Sequence, residues 1–298
     1  MMTPMGTGAR AAIAAGLVAL VAATAGCSWR LESDPVPFRT PSPSTVIRDG
    51  VAAAESAVDA AAEGSTDVLG EVESVLAPTR VAALGGVSPT SSPRPSADLA
   101  AAIAAASDQA SECAETTDDP TLGGLCASIV LSHALVTFAA DPAPRGEPQV
   151  RVVDETAAVI PDASTQVDPQ RVAEWALAHD RARAMYETIA ARAVGDERNT
   201  ALARGRLHRD RVAQLLGTGV EDLTQLSYDV PAARVVDTAA RVALASETEL
   251  ALAEDYAAAM VTAAPVDRAW LTNAAYDAYA ASSLAPDDVP ALPGVAAE

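Results

Sequence analysis

The sequence predicts an all-α protein, and its composition carries that prediction. Of the 298 residues, 70 are Ala and only 10 are aromatic. Alanine is the best helix former and packs poorly on the pleated surface of a sheet. The Ala-rich runs are separated by clusters of Pro, Gly and Ser, which end helices. These observations favour helical bundles and argue against a β-sandwich or a doubly wound parallel sheet.

The charge of the chain limits its partners. All 20 basic residues are Arg, and 40 Asp and Glu residues give a formal net charge of -20. A strongly acidic protein is repelled by the phosphates of nucleic acids and by anionic lipid headgroups. We therefore expect no nucleic-acid partner.

The amino terminus has the pattern of an export signal. Arg10 precedes an uninterrupted run of apolar and small residues over 11–26, and Cys27 follows directly. At ~1.5 Å per residue this run is too short for the roughly 30 Å hydrocarbon core, which disfavours a permanent spanning helix. The stretch TAGC at 24–27 resembles the bacterial lipoprotein box. That resemblance implies that Cys27 is lipidated and anchors the protein to the outer face of the cytoplasmic membrane, since several acyl chains anchor stably. An ordinary cleavage site beside a free cysteine is the alternative.

The remaining cysteines fit the same compartment. Cys113 and Cys126 are 13 residues apart, near the end of one helix pattern and the start of the next. In an oxidising compartment they are expected to form a disulfide that staples a helical hairpin. Two inert buried thiols are the alternative, and the lack of a nearby histidine argues against zinc.

The pattern of helices and linkers divides the chain into five parts. We predict a lipoprotein signal peptide over 1–26, a Pro- and Ser-rich tether over 27–45, an Ala-rich helical region over 46–145, a four-helix bundle over 165–285 and a disordered tail over 286–298.

In the Ala-rich region, apolar residues recur at helical spacing over 46–76, with a weak point at Gly64. A second linker follows at 85–96. The stapled hairpin is then predicted over 97–114 and 121–140.

Four helices are predicted in the second half, and we expect the main packing core there because it holds all five Tyr and two of the three Trp. Asp168 and Pro169 supply an N-cap and a first-turn proline for the first helix. The second begins after Gly195, and Pro231 and Pro265 open the third and fourth. Short turns pair the helices as two antiparallel hairpins, with a crossover over 217–230.

Three polar residues are predicted to face the interior of this bundle. Spacing of three and four residues places His179, His208 and Glu249 on the inner faces of the first three helices. Imidazole and carboxylate together suit a single transition metal, with Tyr186 or Tyr256 behind the ligands. The alternative is structural: the histidines bond to one another, or to Glu249 and a tyrosine hydroxyl.

The same residues carry a resemblance to a family. It rests on His179 with Tyr186, on LHRDR at 207–211, on YDVP at 228–231 and on Glu249 seven residues before Tyr256. The stretch over about 168–283 resembles the ferritin-like domain of unknown function of secreted proteins and lipoproteins from high-GC Gram-positive bacteria. The resemblance implies a ferritin-like four-helix bundle, although a fold alone carries no activity.

The chain departs from a complete di-iron site, which needs a Glu-x-x-His on each of two helices and a Glu on each of the others. Ala178 stands directly before His179, where members of that family tend to carry Glu. Gly205 stands three residues before His208, and residues 266–283 contain no His or Glu. The third histidine, His133, lies in an apolar run without a nucleophile elbow. No catalytic residue is therefore predicted.

These observations predict a membrane-anchored extracytoplasmic lipoprotein of the cell envelope. Its bundle is expected to be a noncatalytic binding or scaffold module for an unknown envelope protein or ligand. The alternative is a residual metal-binding or redox site of His179, His208 and Glu249.

Overall fold

The computed structural model describes residues 40–88, 98–141 and 157–296. Within these ranges 73% of the residues are helical and none is in a strand. The all-α prediction is confirmed. The signal peptide, Cys27 and the tether up to residue 39 lie outside the described residues, whereas residues 43–45 of the predicted tether belong to the first helix.

Four helices form the amino-terminal half: α1 (Pro43–Ala62), α2 (Val68–Ala83), α3 (Leu99–Thr116) and α4 (Pro120–Ala140). The helical pattern over 46–76 corresponds to α1 and most of α2, and its weak point at Gly64 lies between the two helices. The chain turns after α1, and the side chain of Asp67 accepts a hydrogen bond from the backbone N–H of Gly70, which caps a new helix. The predicted hairpin corresponds to α3 and α4.

The second half contains α5 (Pro169–Arg192), α6 (Gly195–Leu216), α7 (Thr238–Thr262) and α8 (Pro265–Ala281). The predicted start of the third helix is displaced. Pro231 precedes a short 3-10 turn over Ala232–Val235, and α7 begins only after Asp237, whose carboxylate accepts a hydrogen bond from the backbone N–H of Ala240. The cap therefore decides this boundary.

The two halves share one pattern of helix neighbours. Consecutive helices pair as α1 with α2, α3 with α4, α5 with α6 and α7 with α8, while α1 also contacts α3 and α5 contacts α7. The amino-terminal half, which the sequence analysis describes only as a helical region, is thus also a group of four helices packed through the same pairs.

The described residues from Ser42 onward belong to one compact unit, in which α4 packs against α7 and α8. Two adjacent glycines permit this contact. A β-carbon on Gly124 would overlap the carbonyl oxygen of Val261, and one on Gly123 would overlap the guanidinium of Arg268. Arg268 also donates a hydrogen bond to the carbonyl of Ala114 at 2.6 Å. The hairpin is therefore held directly against the bundle.

Among the described residues, only α4 has the length and hydropathy to cross a membrane. However, 72% of its most apolar window is buried within the protein. Such burial is what the core helix of a globular protein shows, so we interpret α4 as a core helix.

The main apolar core includes residues of both halves, such as Leu131 and Leu135 of α4 with Trp175, Tyr256 and Leu271 of the bundle. The expectation that the packing core belongs to the second half alone is corrected, because α4 is buried on nearly all sides. The Cys113 and Cys126 sulfurs lie 2.07 Å apart, so α3 and α4 are linked by the expected disulfide.

The chain after α8 also differs from expectation. We predicted a disordered tail over 286–298, yet residues 286–296 are described and lie against α4 and, at Gly294, against Ala257 of α7. Ser128 and Ser132 donate hydrogen bonds to the carbonyls of Pro293 and Pro290, at 2.8 and 3.1 Å. The tail is ordered because these partners, over 150 residues away, satisfy its backbone.

Candidate functional site

The three inward-facing residues meet in the middle of the second half. The Nδ1 atoms of His179 and His208 are 2.9 Å apart, and His208 Nε2 lies 3.0 Å from Oε1 of Glu249. None of the three side chains is more than 1% exposed. Helical periodicity alone placed them on facing surfaces of α5, α6 and α7.

The direction of each hydrogen bond follows from the chemistry of the groups. An ionised Glu249 can only accept, so His208 Nε2–H donates to it and His208 Nδ1 is left as an acceptor. His179 must then donate from Nδ1 and accept at Nε2 from the hydroxyl of Tyr256, 2.9 Å away. The result is a continuous chain from Tyr256 through both imidazoles to Glu249.

The electrostatics of the site keep both imidazoles neutral. Burial, the neighbouring His208 and the cation of Arg211 lower the pKa of His179 well below its usual 6.5. Burial also lowers the pKa of His208, although Glu249 opposes that shift. Neutral rings are what the hydrogen-bond directions require.

Glu249 is held by a cation of the protein itself. Arg204 donates from Nε to Oε1 at 2.6 Å and from Nη2 to Oε2 at 2.8 Å. Although burial raises the pKa of Glu249, Arg204 and His208 outweigh it and hold that pKa well below its ordinary range. Arg204 and Arg211 also donate to Asp277, so two guanidinium groups balance two carboxylates.

The two predicted tyrosines lie beside the histidines. Tyr186 donates its hydroxyl to Oε1 of Glu249 at 2.8 Å and stacks on the His208 ring. Burial and the Glu249 charge raise the pKa of Tyr186 well above its usual value. Tyr256 stacks on Trp175 with ring centroids 4.8 Å apart.

The geometry matches the structural alternative for these histidines. Within the described ranges, no group of three or more His, Cys, Asp or Glu side chains is arranged to hold a metal ion. A metal ligated by His179, His208 and Glu249 would have to break their mutual hydrogen bonds and lie close to the cation of Arg204. The metal-ligand role of these residues stays a prediction that the geometry does not favour.

Sequence reasoning missed Arg204, Arg211 and Asp277. The two arginines lie four residues before and three residues after His208, so helical spacing places them on its face. Arginine on a helix normally indicates a solvated surface, and only the position of α8 brings Asp277 to these cations.

A second buried polar cluster surrounds His133, which the sequence placed in a plain apolar run. Its Nε2 lies 2.7 Å from Oε1 of Glu55 on α1, and its Nδ1 lies 3.1 Å from Oε1 of Glu73 on α2. Arg80 donates to the other oxygen of each carboxylate and to Ser132. The four charged side chains close a ring in which each carboxylate bridges the imidazole and the guanidinium.

His133 is the charged histidine of the protein. Both of its nitrogens face carboxylates, so both donate and the ring is an imidazolium. Burial lowers its pKa, but the hydrogen bonds of Glu55 and Glu73 outweigh burial and the pKa is raised. Conversely, burial raises the pKa of Glu55, while His133 and Arg80 bring it below the usual value. Two positive charges therefore balance two negative ones.

A cleft of about 650 Å³ opens beside the His179 and His208 cluster. Its lining includes Tyr186 and Arg204, which both contact Glu249, and also Glu197 and Arg241. Most of the remaining lining residues are small or apolar; they include Ala139, Ala201, Ala245, Ala280, Ala281 and Ala285. The polar cluster is thus adjacent to a concave surface large enough for a small molecule.

Comparison with known proteins does not identify a family for this chain. No protein-family model, curated protein or solved structure matches the chain. The resemblance to the ferritin-like family therefore stays a prediction that rests on the residues quoted above, whereas the all-helical class rests on the structure.

Proposed function

We propose that the chain is a lipoprotein anchored through Cys27 on the outer face of the cytoplasmic membrane, and that its helical body is a noncatalytic binding or scaffold module of the cell envelope. The pattern of residues 1–27 supports the anchor. The disulfide between Cys113 and Cys126 supports an oxidising compartment. The resemblance over 168–283 makes the second half a ferritin-like bundle in this proposal.

The bidentate salt bridge between Arg204 and Glu249 is the observation that best supports the noncatalytic assignment. A general acid or base must reach a substrate proton, and a metal needs free ligand atoms. Here both carboxylate oxygens are occupied and both histidines are buried in mutual hydrogen bonds. In the described ranges, no buried side-chain nitrogen or oxygen lacks a partner. These contacts favour a structural role for the cluster.

Elemental analysis of the purified full chain tests this assignment. We expect no stoichiometric transition metal in the wild type after incubation with Fe²⁺, Mn²⁺ or Zn²⁺ and gel filtration. His133→Gln, in the other cluster, is the matched control for His208→Ala. Stoichiometric metal that is retained by His133→Gln and lost in His208→Ala would overturn the proposal. It would establish instead a residual metal or redox site at His179, His208 and Glu249.

Membrane fractionation tests the anchor. We expect the wild-type chain in the membrane fraction and Cys27→Ala in the soluble fraction. Cys113→Ser with Cys126→Ser is the control, because it removes two cysteines without touching the lipoprotein box. If Cys27→Ala remains membrane-bound, lipidation is not the anchor.

A further inference from the structure

The cleft beside the His179 and His208 cluster is lined largely by short side chains. Helices α4 to α8 and the residues after α8 all contribute to its wall, and many of the residues they contribute are alanine or serine. Short side chains leave space between helices that leucine or phenylalanine would fill. The cleft of about 650 Å³ lies in the size range of small-molecule sites.

Resting on the proposed binding function, we propose that this cleft binds an uncharged, mainly apolar small molecule. Two features of the wall carry the proposal: its volume and its balance of charge.

The charges of the wall are already paired. Arg241 donates from Nε and Nη2 to both oxygens of Glu197, at 2.6 and 2.8 Å. Arg204 makes the corresponding bidentate contact with Glu249 behind the wall. A charged ligand would lose its hydration shell on entering the cleft. It would find no unpaired opposite charge in the wall to replace that hydration, so its binding costs free energy. An uncharged ligand avoids this cost.

The hydroxyl of Tyr186 is occupied in the same way, because it donates to Glu249 and accepts from Arg204. The polar groups of Tyr186 and Arg204 therefore bond to neighbours within the protein. The expected ligand is apolar over most of its surface.

A matched pair of fluorescent probes tests this proposal. N-phenyl-1-naphthylamine is uncharged, and 8-anilinonaphthalene-1-sulfonate has the same aromatic skeleton with an added sulfonate. Titration of the full chain carrying Cys27→Ala should show saturable binding of the neutral probe at one site, at least tenfold tighter than the sulfonate. Oleyl alcohol should displace the neutral probe at least tenfold more effectively than oleate.

Substitutions locate the site. Ala245→Trp and Ala281→Trp, on α7 and at the end of α8, each fill the cleft and should weaken binding of the neutral probe at least tenfold. Ala104→Trp, at an exposed position of α3, is the control and should leave binding unchanged. Near-ultraviolet circular dichroism of each variant confirms that it folds.

Glu197→Gln tests the charge argument, because it removes the partner of Arg241 and leaves a net positive wall. We expect the sulfonate to bind this variant at least tenfold tighter than it binds the parent. The proposal is overturned if the neutral probe does not saturate, if both tryptophan variants bind it like the parent, or if the parent prefers the sulfonate. A failure of the anchor appears only in membrane fractionation, so the two proposals are separable.

Discussion

Arg204 binds Glu249 through two hydrogen bonds of 2.6 and 2.8 Å, in an interior where neither side chain is more than 1% exposed. This pair turns a set of histidines and a carboxylate, which sequence patterns associate with metals, into a closed salt-bridge network. The positive charge that a metal would supply comes from a guanidinium. The same solution recurs in the amino-terminal half, where Arg80 and the protonated His133 occupy the space between Glu55 and Glu73.

Arg204→Met should be strongly destabilising. It leaves Glu249 buried without its cation, and breaking a buried ion pair by removing one partner costs about 3–5 kcal/mol. Denaturant unfolding monitored by circular dichroism measures this loss. Arg209→Ala is the control, because Arg209 is 60% exposed and its surface pair with Glu187 contributes at most about 1 kcal/mol. A loss below about 1 kcal/mol in Arg204→Met would contradict the network.

The bundle histidines should be neutral at pH 7, with opposite tautomers. Nitrogen-15 spectra of the imidazoles should show a proton on Nδ1 of His179 and on Nε2 of His208. Since burial lowers both pKa values below 6.5, each ring should protonate only at a lower pH than a free imidazole does. The unfolded chain does bind these protons, so the free energy of unfolding decreases below about pH 6.5. Identical tautomers would contradict the hydrogen-bond chain.

His133 should show the opposite dependence on pH. Its pKa is raised in the folded protein, so its contribution to stability is fully present below 6.5 and is lost as the pH rises through the folded value. We expect the stability difference between wild type and His133→Gln to be constant from pH 5.5 to about 6.5 and to shrink at higher pH. A difference that grows as the pH rises would contradict an imidazolium between Glu55 and Glu73.

Gly124→Ala should weaken the contact between the two halves. The added methyl would overlap the carbonyl oxygen of Val261, and forcing helices apart in a packed core costs typically 1–3 kcal/mol. Gly50→Ala in α1 is the matched control, because its methyl would have no neighbour closer than 3.8 Å. That control should gain up to about 1 kcal/mol from helix propensity. Equal effects in thermal unfolding would contradict the close contact of α4 with α7.

The helices of the bundle could be predicted closely, since α5 starts at Pro169 after its Asp168 cap and α8 at Pro265. The three inward-facing polar residues were also predictable, because a period of 3.6 residues fixes which positions of a helix share a face. His179, His208 and Glu249 are in contact, as expected of residues on the inner faces of packed helices. Periodicity says which side of a helix is buried, and it does not say which atoms lie opposite.

The sequence by itself thus determined the helical class, most helix ends, the inward residues and the Cys113–Cys126 pairing. Only the tertiary structure decided that Arg204 neutralises Glu249, that His133 lies between two carboxylates, and that Ser128 and Ser132 hold the tail. The physical reason is distance along the chain. Capping and periodicity act within a few residues, whereas these partners are 45 to 165 residues apart and meet only after the helices have packed.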